Sequence, residues 1–323
     1  MKKPAIVLSV AVLIAVVAYW TVAVAQQGSY QPKRINKAVE LLEQGQPIYY
    51  TATRTGGYEE GVKMAQTWAD YINYEMEHGS FDFSALRAFM QGLVKGGPTK
   101  SGHRTPAVIV TLPVLGLDEA SMWANSWVIQ QTLAAGVHGI LLCHARDPKA
   151  VRVFVASARY PFHKQSVGPN MLAEGLRGSG SQGFASQIWG ISPAEYLEKA
   201  DVWPLNPNGE ILLGLKIEDR YALEKAEEST KVPGIAFAEW GPGDMLWSLV
   251  GNVPRGGSED AHPEMKKARA RVLAATKAAK IHFLNSVNAD NVEEMIKEGV
   301  MVGAGNQAAA ERGRKFTKRQ MPW

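Results

Sequence analysis

The chain has 323 residues, of which 46% are hydrophobic, and its formal net charge at pH 7 is +4. This length suffices for one large α/β barrel or two ordinary domains, and the single cysteine, Cys143, excludes an intrachain disulfide. Much of the basic excess lies in residues 312–319 without a pattern of stacking aromatic residues, which argues against a nucleic-acid partner.

The N-terminus has the pattern of a secretory signal peptide. Lys2 and Lys3 precede an uncharged run at residues 5–18, and the small residues at 23–25 provide a cleavage site. We therefore predict a signal peptide over residues 1–25 and a periplasmic or secreted mature chain. The alternative is an uncleaved anchor, because residues 6–25 are nearly long enough to span a bilayer. No later stretch approaches a transmembrane helix, so we expect no stable membrane contact after cleavage.

Short β-branched runs alternate with amphipathic helical patterns along the rest of the chain. Helix starts prefer Asp, Asn or Pro, and most of the helical patterns open with one of them. This alternation predicts one (β/α)8 TIM barrel over residues 26–323. An open doubly wound sheet would need a glycine fingerprint after the first strand, and residues 53–57 do not provide one. The eight candidate strands are residues 47–52, 71–75, 107–112, 139–143, 211–217, 235–239, 281–285 and 300–303.

One long connection, residues 166–209, interrupts this alternation between the fourth and fifth strands. It contains a loose run of glycines at positions 175, 178, 180 and 183. Long connections inside compact domains are usually functional or mobile. This pattern is compatible with an oligomer contact, with a lid over the active site, and with a surface insertion that the fold tolerates.

Two carboxylates follow the fifth and sixth predicted strands. Glu218 ends an apolar strand, and Asp244 closes the turn Gly241-Pro242-Gly243-Asp244 after the next strand. Neighbouring strands of a parallel barrel end at the same mouth, where such folds place their active sites. The pair suits a hard divalent cation that keeps coordination positions open for an oxygen-bearing substrate. We expect Gly243 and Asp244 to lie next to that substrate. Sharing one ion requires the two carboxylates to approach within roughly 5 Å. Otherwise each acid is a helix cap or a solvated residue.

Five motifs occur in order along the chain. They are Glu75-Met76-Glu77-His78-Gly79, Arg159-Tyr160-Pro161 with Val167-Gly168, Lys216-Ile217-Glu218, Gly241-Pro242-Gly243-Asp244 and Ala261-His262-Pro263-Glu264. As an ordered set they resemble the HpcH/HpaI aldolase and citrate lyase family. The resemblance implies a (β/α)8 barrel whose final helix is exchanged between subunits of a homo-oligomer, a hexamer. It also implies a Mg²⁺, Mn²⁺ or Co²⁺ site and retro-aldol chemistry on 4-hydroxy-2-oxo acids through a pyruvate-type enolate.

The same resemblance implies roles for four residues. Glu218 and Asp244 fall on the metal-binding carboxylates, His78 on the catalytic base, and Glu75 on the acid that steadies that base. The position of His78 fits this role, since it lies just beyond a strand end and imidazole exchanges protons near neutral pH. Without the surrounding match, His78 would be interpreted as a solvent-exposed loop histidine.

The third predicted strand departs from the family pattern. Residues 108–113 contain no arginine, where the family has one that stabilises the enolate oxygen. Lys216 replaces a family glutamine two residues before Glu218, and side chains two apart on a strand face the same way. We therefore predict that Lys216 supplies the missing positive charge. The alternatives are an ion pair with Glu218 or Glu75 that only balances charge, and a Schiff base with the substrate.

Three further residues are candidates for the substrate site. His144 follows the fourth strand, where the family has an apolar segment, and it could be a third metal ligand, an acid or only a hydrogen-bonded residue. Trp240 and Trp247 could wall an apolar pocket or pack beneath loops. We predict a metal-dependent aldolase. The alternative is an exported barrel that has lost this activity and acts as a binding protein or in another 2-oxo acid reaction.

Overall fold

Residues 30–253 and 262–323 are described by the structure, which is a computed structural model. The predicted signal peptide and Ala261 lie outside these residues. Pro32–Trp323 form one of the two units into which the chain divides, and all elements below belong to it. In the described parts of the chain, no helix combines the length and the apolar character needed to cross a membrane.

Eight parallel strands close into a barrel. Each strand pairs with the next one in the ring, and the pairings β4–β6 and β9–β1 complete the closure. All eight predicted strands are confirmed, and the fold is the predicted (β/α)8 barrel. The bounds of the ring strands are β1 Ile48–Thr53, β2 Tyr71–Glu75, β3 Ala107–Leu115, β4 Gly139–Cys143, β6 Ile211–Lys216, β7 Phe237–Glu239, β8 His282–Ser286 and β9 Val300–Ala304. The two-residue strand β5, Val202–Trp203, pairs with β6 outside the ring.

Helices follow the strands and cover the outside of the barrel. Several begin after an Asp or Asn whose side chain accepts backbone N–H groups of the first turn; Asp82, Asp147 and Asn306 are examples. The described helices are α1 Lys37–Glu43, α2 Tyr58–Met64, α3 Phe83–Gly96, α4 Glu119–Ala124, α5 Ser126–Ala134, α6 Pro148–Ser157, α7 Gln182–Trp189, α8 Pro193–Lys199, α9 Arg220–Glu224, α10 Ala226–Ser229, α11 Pro242–Leu249, α12 Pro263–Ala279, α13 Val292–Glu298 and α14 Gln307–Phe316.

The barrel interior is filled by side chains from neighbouring strands. Gly214 on β6 is paired with Phe237 on β7, and a Cβ atom at Gly214 would overlap the Phe237 ring. Gly214 and Phe237 therefore share the interior face. Side chains alternate along a strand, so Lys216 and Glu239, each two residues further on, face the same interior at the carboxyl end. The strand register thus places a lysine and a glutamate side by side at the mouth.

The long connection between β4 and β6 contains α7, α8 and β5. The Trp189 indole on α7 donates to the carbonyl of Gly136, which precedes β4, at 2.9 Å. Arg104, which precedes β3, donates to the carbonyl of Ile188 at 3.0 Å. These contacts lie at the amino ends of the strands, so α7 packs on the face opposite the mouth and cannot be a lid over it.

The last helix packs on the barrel of its own chain. Asp70 directly precedes β2 and is fully buried. Its Oδ1 atom lies 3.4 Å from Nζ of Lys37, 3.1 Å from the guanidinium group of Arg314 and 2.8 Å from that of Arg319. Burial alone would raise the pKa of Asp70, but the three cations outweigh it and lower this pKa well below its usual range. The cluster fixes α14 and the residues after it to the amino end of the barrel.

Candidate functional site

Four side chains with metal-ligating atoms converge at the carboxyl end of the barrel. They are Glu77, His144, Glu218 and Asp244, and one donor atom from each lies within 4.8 Å of the others. Glu77 follows β2, His144 follows β4, Glu218 follows β6, and Asp244 lies in the first turn of α11 after β7. The structure thus brings together the two carboxylates that the sequence predicted to meet, and it adds a glutamate and the candidate histidine.

Gly241 makes room for Glu218. Its backbone is left-handed, with φ 49°, and it is followed by Pro242, the first residue of α11. A Cβ atom at Gly241 would overlap Cβ of Glu218 and lie 3.0 Å from Oε2 of the same side chain. The turn after β7 therefore forms a cradle for the Glu218 carboxylate, and it also positions Asp244 in the helix that follows.

We expect Gly241→Ala to destabilise the protein by about 1–3 kcal/mol, the usual penalty of a left-handed non-glycine residue, and by more if Glu218 cannot move away. Urea denaturation would measure the loss, and Mn²⁺ titration would show weaker binding. Gly45→Ala is the matched control, because Gly45 is also left-handed, with φ 66°, but a Cβ atom there would meet nothing within 4 Å. Equal effects of the two variants on Mn²⁺ binding would contradict the cradle.

The Glu218 carboxylate is almost fully buried and faces two different partners. Oε1 accepts the backbone N–H of His144 at 3.0 Å, and Oε2 lies 2.7 Å from Nζ of Lys216. Burial raises the pKa of Glu218, although the Lys216 charge opposes this shift. The two oxygens are therefore held in different environments, one beside an imidazole and one beside an ammonium group.

Lys216 bridges two carboxylates of the cluster. Its Nζ atom lies 2.8 Å from Oε2 of Glu77 as well as 2.7 Å from Glu218. Burial alone would lower the pKa of Lys216, but the surrounding acidic groups, including Cys143, Glu239 and the two paired glutamates, raise it well above its usual range. The amine is therefore protonated at neutral pH, which disfavours a Schiff base because only the neutral amine is nucleophilic. The ion-pair partners are Glu218 and Glu77.

Glu239 is an acidic residue at the mouth that sequence reasoning missed. It ends β7 in register with Lys216. Desolvation raises the pKa of Glu239 to about 7; the positive charge of Lys216 opposes this shift, and the negative charges of Glu218 and Glu77 add to it. The mouth therefore carries several carboxyl groups around one lysine. This excess of acidic oxygen, together with the imidazole and the cradle at Gly241, fits a divalent cation.

His144 is held from both sides. Its backbone is left-handed, with φ 45°, and its Nδ1 atom lies 2.7 Å from Oδ2 of Asp219. Arg146 donates through Nε to the same Asp219 oxygen at 2.8 Å. The other ring nitrogen, Nε2, lies 3.7 Å from Oε1 of Glu218. The hydrogen bond to Asp219 raises the pKa of His144 against the effect of burial.

His78 and Glu75 lie beside the cluster. The His78 side chain is 56% exposed, and its Nδ1 atom is 3.6 Å from Glu77 and 4.0 Å from Glu75. The Glu75 carboxylate accepts the backbone N–H groups of Glu77 at 2.7 Å and of His78 at 3.3 Å. Glu75 thus holds the turn that carries His78, while the carboxylate nearest to the imidazole belongs to Glu77.

The two candidate tryptophans differ in burial. Trp240 is buried, and its indole N–H donates to Oδ1 of Asn285 at 2.8 Å. It borders a cavity of about 630 Å³ between α12 and α13, so it packs outside the barrel mouth, in agreement with the alternative interpretation of this residue. Trp247 on α11 is 52% exposed. Gly243 lies in the first turn of α11, next to Asp244.

Comparisons with known proteins agree with this architecture. A family model described as HpcH/HpaI aldolase/citrate lyase matches residues 119–306, more than half of the chain. The Burkholderia cenocepacia protein of this family has a TM-score of 0.64 at 18% identity, covering 88% of this chain and 97% of that one, and supports the fold alone.

Two curated relatives are named hydroxypyruvate/pyruvate aldolase. The Sagittula stellata protein is 26% identical over 205 residues, which cover 64% of this chain and 64% of the relative. The Roseovarius nubinhibens protein is 22% identical over 222 residues, which cover 69% of this chain and 72% of the relative. The chain thus spans slightly less than two thirds of the first relative's length.

Proposed function

This chain belongs to the HpcH/HpaI aldolase/citrate lyase family, and on that premise we propose that it is a metal-dependent aldolase acting on 4-hydroxy-2-oxo acids through a pyruvate-type enolate. The observation that carries the proposal is the convergence of Glu77, His144, Glu218 and Asp244 at the barrel mouth. The two relatives named hydroxypyruvate/pyruvate aldolase support the same reaction class.

Glu218 and Asp244 would hold the metal, Mg²⁺, Mn²⁺ or Co²⁺, and Gly243 would let the substrate approach beside them. A divalent metal bound there would polarise the carbonyl of a 2-oxo acid. The chain's own contribution is to fix the two carboxylates. The buried Glu218 is held by the His144 backbone and by Lys216, so little reorganisation is needed at the moment of reaction.

Lys216 would stabilise the negative charge that develops on the substrate oxygen when the enolate forms. Its ammonium group lies at the interior face of the mouth, beside Glu218, and stays protonated because acidic groups surround it. A preorganised cation in a site of reduced dielectric is worth several kcal/mol there. This role replaces that of the family arginine, which β3 lacks.

His78 would act as the base in the cleavage direction. Its imidazole takes the proton of the 4-hydroxyl group, the bond between C3 and C4 breaks, and the aldehyde leaves. The electron pair of that bond forms the enolate, which then takes a proton at C3 from the protonated His78 imidazole to give pyruvate or a related 2-oxo acid, so that the base is regenerated. Glu75 positions the base by holding the backbone of its turn.

A panel of 4-hydroxy-2-oxo acids tests this function. After chelation and with Mn²⁺ added back, we expect 2-oxo acid release from at least one member of the panel, and none without metal. The second candidate is a binding protein or an enzyme of another 2-oxo acid reaction, favoured by the missing β3 arginine. Saturable binding of 2-oxo acids without turnover of any panel member would support it instead.

We also propose that the chain is exported and assembles as a homo-oligomer, a hexamer. Export is supported by the apolar run and the small residues at positions 23–25. Mass spectrometry of the periplasmic or secreted fraction should find a mature N-terminus at Gln26. A full-length cytoplasmic product would refute export, and a monomer in light scattering would refute the assembly.

A further inference from the structure

We propose that His144 is a third protein ligand of the metal and that the site therefore favours Mn²⁺ or Co²⁺ over Mg²⁺. This inference rests on the proposed function, since it concerns the same metal site. It adds a nitrogen donor to a site that Glu218 and Asp244 would otherwise build from oxygen alone.

The backbone of His144 is shaped to face Glu218. A left-handed φ of 45° is uncommon for a residue with a side chain, and such conformations cluster at functional sites. In this conformation, the His144 N–H donates to Oε1 of Glu218 at 3.0 Å, while its ring nitrogen Nε2 approaches the same oxygen. One carboxylate oxygen therefore meets both the backbone and the ring of a single residue.

Asp219 fixes the orientation of the ring. Its Oδ2 atom is 2.7 Å from Nδ1 of His144 and also accepts from Arg146. Its Oδ1 atom caps α9 by accepting the N–H groups of Tyr221 and Ala222, both at 2.9 Å. Because Asp219 accepts at Nδ1, an imidazole that gives up one proton to bind a metal keeps the other on Nδ1 and presents the lone pair of Nε2 to the cluster. A carboxylate that holds the distal nitrogen is the usual support of a metal-binding histidine.

The distance between Nε2 of His144 and Oε1 of Glu218 distinguishes a direct hydrogen bond from two ligands that share one metal ion. At 3.7 Å, it is too long for a hydrogen bond. Two donor atoms that each lie about 2.1 Å from one metal ion are at most about 4.2 Å apart, and the separation of Nε2 and Oε1 falls within this limit. The Lys216 ammonium meanwhile neutralises Oε2, on the other side of the same carboxylate. Oε1 and Nε2 therefore face each other on the side of the carboxylate away from the ammonium group.

The donor set indicates which metal the site prefers. Mg²⁺ takes oxygen ligands and keeps several waters, whereas the affinity of a site with a nitrogen donor rises along the transition metals from Mn²⁺ to Co²⁺. A site with one imidazole nitrogen beside the oxygens of Glu218 and Asp244 therefore favours the latter. Removing His144 should restore an all-oxygen site and reduce the preference.

Electron spin-echo spectroscopy of the Mn²⁺-loaded protein tests the assignment without any assay of activity. The wild-type spectrum should contain the ¹⁴N coupling of a directly bound imidazole, and His144→Asn should lose it. Asn is chosen because it tolerates the left-handed backbone. His78→Asn is the matched control, since His78 also adjoins Glu77, and this variant should retain the coupling.

Titrations of the metal-free protein with Mn²⁺ and with Mg²⁺ give the second readout. We expect His144→Asn to weaken Mn²⁺ binding by at least about tenfold, and Mg²⁺ binding much less. Asp219→Asn should keep the ¹⁴N coupling yet weaken Mn²⁺ binding by about tenfold, because it loosens the ring without removing it. Circular dichroism of each variant checks that it is folded.

The outcomes separate this inference from the proposed function. If the wild type binds Mn²⁺ without ¹⁴N coupling, or if His144→Asn keeps the coupling, His144 is only hydrogen-bonded and the inference is overturned, while metal-dependent aldol chemistry stands. If the wild type binds neither metal, the proposed metal-dependent function fails as well.

Discussion

Replacing Glu218 with glutamine is expected to abolish measurable Mn²⁺ binding and to lower aldol turnover by about a thousandfold, as fits the several kcal/mol that a polarising metal supplies. The amide keeps the shape of the side chain but removes its charge. It also leaves Lys216 with Glu77 as its remaining close ion-pair partner. Calorimetric titration of the metal-free variant measures the first effect, and steady-state kinetics at a fixed Mn²⁺ concentration that saturates the wild type measures the second.

Glu239→Gln is the control for this variant. It makes the same chemical change one strand away at the same mouth, but Glu239 is not one of the four converging residues. We expect its Mn²⁺ affinity to stay close to that of the wild type. Wild-type Mn²⁺ affinity in Glu218→Gln would contradict the assignment of Glu218 as a ligand.

The variant Lys216→Gln is expected to lower turnover by about a hundredfold, the scale typical of losing one group that stabilises a developing oxyanion. Its Mn²⁺ affinity should be nearly intact, because the ammonium group neutralises Oε2 of Glu218 while Oε1 faces His144. Steady-state kinetics and Mn²⁺ titration on the same preparation separate the two effects.

Lys216→Arg provides the comparison, since it keeps the positive charge and should recover part of the turnover. Borohydride treatment with pyruvate should leave the mass of the wild type unchanged, because a protonated amine does not form a Schiff base. Wild-type turnover in Lys216→Gln would identify Lys216 as a structural ion-pair residue that only balances the charge of Glu77 and Glu218.

The barrel could be predicted because its strands carry a strong local signal. Buried parallel strands are nearly continuous β-branched and aliphatic runs, and residues 107–112 and 139–143 show this pattern clearly. The contents of residues 166–209 could not be predicted in the same way. Helix α7 and strand β5 are stabilised by long-range contacts, such as that of Trp189 with Gly136, which local patterns do not reveal.

The site was predictable where strand order alone determines it. Glu218 and Asp244 follow consecutive strands, so a closed barrel must bring them near each other. Glu77 lies beyond the end of β2, where the two-residue alternation no longer fixes the direction of a side chain. The position of Glu239 beside Lys216 depends on the register between β6 and β7. Its place two residues after Phe237 is a signal in the sequence that its side chain shares the face of Phe237. The orientation of His144 depends on a left-handed backbone and on the distant Asp219.

Exchange of the methyl protons of pyruvate in D₂O, followed by proton NMR, tests the central claim most directly. Formation of the enolate is required for exchange, and the unknown aldehyde half of the substrate is not involved. We predict rapid exchange with the Mn²⁺-loaded protein, and the uncatalysed rate after chelation or in the variant Glu218→Gln. Exchange that is equally fast without metal, or no exchange with Mn²⁺ bound, would contradict a metal-dependent enolate mechanism.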